Sequence, residues 1–211
     1  ILPMIAQQFG TAWVRIIDIA LLYCLLALGL NIVVGYAGLL DLGYVAFYAL
    51  GAYMYALLAS PHLAENFEGF KAMFPNGLHT PIWVVIPAAA GLAALAGVLL
   101  GTPVLKRRGD YLAIVTLGFG EIIRVFMNNL EHPVNITNGP RGLDRIDPMN
   151  IFGFSFGKAI EIGDFRIPSV ALYYWLFLAL VIGSLLVCYR LETSRIGRAW
   201  MAIREDEVAA K

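Results

Sequence analysis

Twenty-five consecutive residues, Pro81 to Leu105, carry no charge at all. A run of about 20 apolar residues is what a helix needs to cross about 30 Å of hydrocarbon, so this segment alone places the chain in a membrane. Two further runs behave alike. Pro168 to Tyr189 is uncharged, and Tyr111 to Leu130 is apolar apart from Glu121, Arg124 and two asparagines. Composition agrees: 60% of the 211 residues are apolar and 14% are charged, too few charges to cover a soluble domain of this length.

Ile19 to Leu58 holds one formal charge, Asp41. A single helix of that length would run about 60 Å at about 1.5 Å per residue, twice the bilayer. The chain must therefore turn or break, and "NIVVGYAGLLDLG" is where the backbone is free to do so: Asn31, Gly35, Gly38, Asp41 and Gly43 cluster there. Non-helical backbone at membrane depth survives only when buried in protein or lining a wet cavity. The count becomes about five crossings, giving an all-α, polytopic transmembrane helix bundle. Stretches rich in small residues, Leu50 to Ala59 and Ala88 to Gly97, suit close helix packing.

The connection Lys106 to Asp110, "KRRGD", and the tail after Tyr189 concentrate basic residues. The longer connections Ser60 to Thr80 and Glu131 to Ile167 have no basic excess. The positive-inside rule puts the first pair in the cytoplasm and the second pair outside. Five crossings then leave the N-terminus of the chain outside and the tail inside. "NITNGPRG", Asn135 to Gly142, is turn chemistry in an outer connection.

Glu121 and Arg124 stand three residues apart and share a helix face. An unpaired charge at the bilayer centre costs at least about 2.5–3.5 kcal/mol, so the two are expected to pair. The pair is either a structural link or part of a gate or pathway lining. Asp41 either caps the helix that begins near Leu42 or lines a broken helix of the kind transporters use. The aromatic cluster Tyr44, Phe47, Tyr48, Tyr53 and Tyr55 is packing or interface anchoring, with a substrate-facing role open for one or two. Asn31, Gly35, Gly38, Asp41, Tyr44, Thr116, Glu121 and Arg124 are the candidate pathway residues.

Several functions are excluded by what the sequence lacks. "GFSFGKA", Gly153 to Ala159, has neither the spacing of a P-loop nor its magnesium-binding hydroxyl. His62, His79 and His132 are scattered, without metal-ligand spacing. No nucleophile sits beside a base in a recognisable motif. The balance of 15 basic and 15 acidic residues argues against a nucleic-acid partner. Cys24 and Cys188 lie in apolar runs and read as two buried thiols. The chain is therefore no enzyme on this reading, and no cofactor or metal is expected in it.

The tail "SRIGRAWMAIREDEVAAK", Ser194 to Lys211, breaks the greasy pattern. On a helix starting near Arg195, Ile196, Trp200 and Ile203 fall at i, i+4 and i+7 and form an apolar stripe, with Ser194 as N-cap. Glu207 and Lys211 form an i, i+4 pair. Such a helix could lie on the membrane surface. Three consecutive acids, Glu205 to Glu207, beside an anionic leaflet suit a protein partner better.

This tail resembles the cytoplasmic coupling segment of ABC-importer permeases, those for branched-chain amino acids in particular, with "EVAA" standing at their EAA-type motif. "GLNIVVGYAGLLDLGYVAFYALGAY" (Gly29 to Tyr53), "RRGDYLAIVTLGFGEIIR" (Arg107 to Arg124) and "NITNGPRGL" resemble the same family in the same order. The resemblance implies a single transmembrane permease domain over residues 1–211, incomplete at both ends, with 194–211 as its coupling segment. It implies a homologous second permease, two ATP-binding cassette subunits that bind ATP and Mg, a periplasmic amino-acid-binding protein, and the bacterial inner membrane. Ile196, Trp200 and Ile203 would be docking anchors; Arg195, Arg198, Arg204, Glu205, Asp206 and Glu207 would form the polar rim. The expected substrate is a branched-chain or related amino acid; related permeases also handle urea, short amides and sugars. An ion-gradient-driven transporter or channel, and a non-transporting membrane scaffold, are the alternatives, and neither requires this tail.

Overall fold

The computed structural model describes Pro3 and residues 10–75, 77–104, 110–133, 135–151, 153–162 and 165–205. Its contacts divide the chain into two compact units, Ile1–Leu40 with Phe156–Lys211, and Asp41–Ser155.

In the first unit, α1 (Thr11–Leu30) runs into a π-helical segment, Asn31–Tyr36. Here the Ala37 N–H reaches back five residues to the Ile32 carbonyl (3.3 Å), the wider ring that marks π geometry and is common at functional sites. The helix α1 packs along α7 (Ser169–Thr193). Pro168 sets the extended entry to α7, where proline's missing N–H costs the helix nothing. The Tyr36 hydroxyl donates to the Cys188 carbonyl (3.4 Å), tying the π segment to the end of α7. A final helix, α8 (Arg195–Glu205), follows α7 after one joint residue, Ser194.

The second unit holds α2 (Tyr44–Leu58), two short helices α3 (His62–Asn66) and α4 (Glu68–Met73), then α5 (Ile82–Val104) and α6 (Asp110–Asn129). The helix α2 packs on both α5 and α6. Gly43 explains how closely α2 meets α6: a Cβ there would overlap the Thr116 carbonyl oxygen. The long connections after α2 and α6 are stitched to the helix ends. The Tyr55 hydroxyl donates to the Asp147 carbonyl (2.9 Å), the Asp147 N–H to the Ala59 carbonyl (2.7 Å), and His79 pairs with the Asp147 carboxylate. Thr137 donates to the Met127 carbonyl (2.6 Å).

Among the described residues, four helical segments are long and apolar enough to cross a membrane, Thr11–Tyr36, Ile82–Leu99, Tyr111–Asn129 and Ser169–Thr193. The fifth apolar helix, α2, has 15 residues, about 22 Å at about 1.5 Å per residue. The buried core among the described residues is made largely of small side chains, including Ala46, Ala56, Ala59, Ala113 and Ala171, while Val98, Leu99, Ile114 and Ile122 are exposed along the spans. That inversion of a soluble protein's pattern is what lipid as solvent produces.

Two sequence expectations change in detail. The first span starts at Thr11 rather than Ile19 and includes Arg15 and Asp18; two charges in its first turns hid it from a search for uncharged runs. Only one of the thiols is buried: Cys188 is, whereas Cys24 is exposed, a position that lipid or a neighbouring helix satisfies as readily as this chain's core. Two small antiparallel hairpins, Asn150–Ile151 with Phe154–Ser155 and Ile160–Ile162 with Phe165–Ile167, punctuate the connection before α7. Residues 105–109, Asp206, Glu207 and Lys211 lie outside the described residues.

Candidate coupling surface and pathway

Two sites emerge, one in each unit. The tail forms the first. Ser194 has an extended backbone (ψ 164°) and stands as the N-cap of α8. Its Oγ accepts from the Gly197 N–H (3.0 Å) and its hydroxyl donates to the Leu191 carbonyl at the end of α7 (2.7 Å). One hydroxyl thus satisfies an orphan donor of the new helix and a late carbonyl of the old one. Gly197 is buried at the same joint, and a Cβ on it would overlap the Leu191 carbonyl oxygen. The angle between α7 and α8 is set by backbone on backbone.

The two faces of α8 differ. Gly197 is buried and Met201 half-buried, while Ile196 and Ile203 are 59% and 49% exposed, with exposed Arg195, Arg198 and Glu205 around them. Trp200 is half-buried, at the edge of the exposed stripe. Arg204, expected in the polar rim, instead turns its guanidinium to the Gly35 carbonyl and lays its stem on Gly38 (φ 68°). Asn31 folds its Oδ1 over Gly35 from within the π segment. Two of the candidate pathway residues, Gly35 and Gly38, therefore meet the tail helix through Arg204, and a third, Asn31, lies against Gly35. Nothing in sequence spacing signals a contact across 169 positions.

The remaining candidates gather in the second unit. Asp41 does not cap α2 from the N-cap position, which Gly43 occupies. Its Oδ1 accepts the Gly43 N–H (2.8 Å) and shapes the turn one step earlier. Thr116 Oγ1 accepts the Leu42 N–H (3.0 Å) while donating to the Ala113 carbonyl (3.1 Å), so it ties the turn to α6. Tyr44 opens α2, half-buried. On α6, Glu121 and Arg124 form a two-bond ion pair, Nε to Oε2 at 2.9 Å and Nη2 to Oε1 at 2.5 Å. Beside them, between α2 and α6, lies a groove of about 430 Å³ with Val45, Ala49, Leu117, Met127 and Asn128 in its wall. These groove residues escaped the sequence reading, because only the packing of α2 on α6 brings them together. Asp18 escaped it too. It is buried in the first span, and its Oδ1 has no hydrogen-bond partner among the described residues. Its signal was available, since a carboxylate within a span is functional or paired by default. No group of His, Cys, Asp and Glu among the described residues is arranged to hold a metal ion.

The family described as branched-chain amino acid transport system / permease component matches residues 13–211. The high-affinity branched-chain amino acid transport system permease protein LivM of Escherichia coli (strain K12) is 43% identical over 211 aligned residues, a match that covers 94% of this chain and 45% of the relative. The protein of the same description from Salmonella typhimurium (strain LT2) is likewise 43% identical, with the same coverage. The chain thus spans about half the length of the curated relatives it matches. No solved structure matches it.

Proposed function

The chain belongs to the permease-component family of branched-chain amino acid transport systems, and from that premise we propose that it forms part of a permease subunit of an ATP-driven importer for branched-chain or related amino acids in the bacterial inner membrane. The observation that carries this reading is α8: a capped helix set on the end of a span, with Ile196 and Ile203 exposed among Arg195, Arg198 and Glu205. An apolar stripe rimmed by charge is the shape a partner's groove recognises. Here the partner is one of two ATP-binding cassette subunits, which hold ATP and Mg and carry out hydrolysis. A homologous second permease completes the pathway, and a periplasmic binding protein delivers the amino acid. The 211 residues act as one permease domain on this reading, with 194–211 as its coupling segment.

The basic tail is cytoplasmic, and the connections Ser60 to Thr80 and Glu131 to Ile167 face outside. With α2 as the short crossing, five segments alternate consistently, and the non-helical stretch Ala37 to Gly43 lines the interior rather than lipid. ATP binding moves the cassette subunits, α8 moves with them, and Arg204 passes that displacement to the π segment at Gly35.

The test is the complete importer in proteoliposomes carrying Ile196→Asp with Ile203→Asp. Leucine-stimulated ATP hydrolysis and leucine uptake should both fall by at least tenfold. Unimpaired uptake would refute the docking assignment. Uptake that persists without ATP and collapses with the proton gradient would refute the ATP-driven reading altogether.

A further inference from the structure

The ion pair on α6 presents a difficulty that the fold does not resolve. Arg124 and Glu121 are 67% and 56% exposed in the middle of a membrane span. Facing hydrocarbon, each charge would carry a heavy desolvation penalty, and even a tight pair keeps much of that penalty. The face must be covered by something polar or wet.

What lies beside the pair narrows the choice. The groove between α2 and α6 has a mostly apolar lining, with Val45, Ala49, Leu117 and Met127 in it, and Glu121 and Arg124 line it too. Its volume of about 430 Å³ falls within the ~300–1,000 Å³ of small-molecule sites. An apolar pocket edged by one cation and one anion is a particular chemical shape.

The pair also keeps spare bonding capacity. Its two hydrogen bonds use two of the five guanidinium N–H groups, and two of about four carboxylate lone-pair sites. An α-amino acid carries an ammonium and a carboxylate on one carbon. Such a headgroup meets the pair as an opposed dipole: its carboxylate takes the free N–H groups of Arg124, its ammonium donates to Glu121, and its side chain enters the groove. No existing bond has to break, and each charge brought in meets its opposite in a low-dielectric setting where pairing is strong.

We propose that Glu121, Arg124 and the adjoining α2–α6 groove form a subsite in the permease itself that holds a zwitterionic, apolar α-amino acid in transit. This rests on the importer reading above and goes further, because it gives the permease its own recognition of headgroup and side chain. A single-charge analogue leaves one member of the pair uncompensated by ligand and gains only half the contact, so the site discriminates against carboxylic acids and amines of the same carbon skeleton.

The experiment is protection of a thiol placed in the groove. The complete membrane importer, with Cys24→Ser and Cys188→Ser, carries Ala49→Cys and is treated with a maleimide without added binding protein. Modification at that position is followed by mass spectrometry. Millimolar leucine should slow modification at least fivefold, whereas 4-methylpentanoate and 3-methylbutylamine should change it less than twofold. Glu121→Gln or Arg124→Gln should abolish the leucine effect; the analogue comparison needs no change to the pair and stands even where those variants assemble poorly. Equal rates with and without leucine, in an importer that takes up leucine with ATP, would overturn the subsite and leave the importer reading intact. So would equal protection by all three compounds. Refusal of the thiol to react under any condition would show the groove filled by neighbouring protein, and would overturn the subsite as well. An importer that takes up no amino acid of this class with ATP would overturn the preceding reading instead.

Discussion

Ser194→Ala tests the joint on which the tail's geometry depends. The substitution removes the oxygen that accepts the Gly197 N–H at 3.0 Å, and the hydroxyl that donates to Leu191 at 2.7 Å. Loss of a serine N-cap costs about 1 kcal/mol, and loss of a second, partly buried hydrogen bond costs roughly another 1 kcal/mol. Together they weaken the closed joint by about 2 kcal/mol, or roughly 30-fold in the opening equilibrium. Helix α8 is short, at 11 residues, and a helix of that length is marginal without tertiary support, so the loss should show in α8 itself. Hydrogen exchange of the purified chain, read by mass spectrometry over 195–205, reports local opening directly. The α8 amides should exchange about 10–30-fold faster, while those of α7 up to Tyr189 remain unchanged. Exchange within twofold of the original chain would refute the claim that Ser194 fixes this joint.

Three further outcomes follow from other contacts. Gly43→Ala places a methyl group on the Thr116 carbonyl oxygen, where neither backbone can yield; overpacking of this kind costs about 1–3 kcal/mol, and the detergent-solubilised chain should lose several degrees of Tm, with an unchanged Tm contradicting the contact. Arg204→Leu removes the donor to the Gly35 carbonyl and should raise exchange over Asn31–Tyr36 several-fold, while an unchanged rate would remove Arg204 as the link between tail and π segment. Arg145→Ala breaks an exposed ion pair with Glu65 (2.8 Å); such pairs contribute about 0–1 kcal/mol, so Tm should move little, and a large loss would show that the connections after α2 and α6 depend on it.

The spans were legible because the bilayer demands long uncharged runs, and Pro81–Leu105, Tyr111–Leu130 and Pro168–Tyr189 lie within a few residues of the helices observed. The break after Tyr36 was legible from its glycines and asparagine, and the cap at Ser194 from the pattern that follows it. Local chemistry decides all of these. The first turns of α1 were not legible, because Arg15 and Asp18 look like the end of a span until α1 is seen packed along α7. The two hairpins are too short, at two or three residues per strand, for an alternating pattern to declare itself. Arg204 on Gly35 and the groove beside Glu121 are products of tertiary packing between distant segments. Their residue types were visible in advance, but their meeting was not.

On the importer reading, the exposed face of α8 docks on an ATP-binding cassette subunit. A photo-crosslinking side chain at position 196 or 203 of α8, in membranes containing the complete importer, should capture an ATP-binding cassette subunit; one at position 201, on the opposite half-buried face, should not. Capture of lipid alone from 196 and 203, or capture of the cassette subunit from 201 instead, would contradict it.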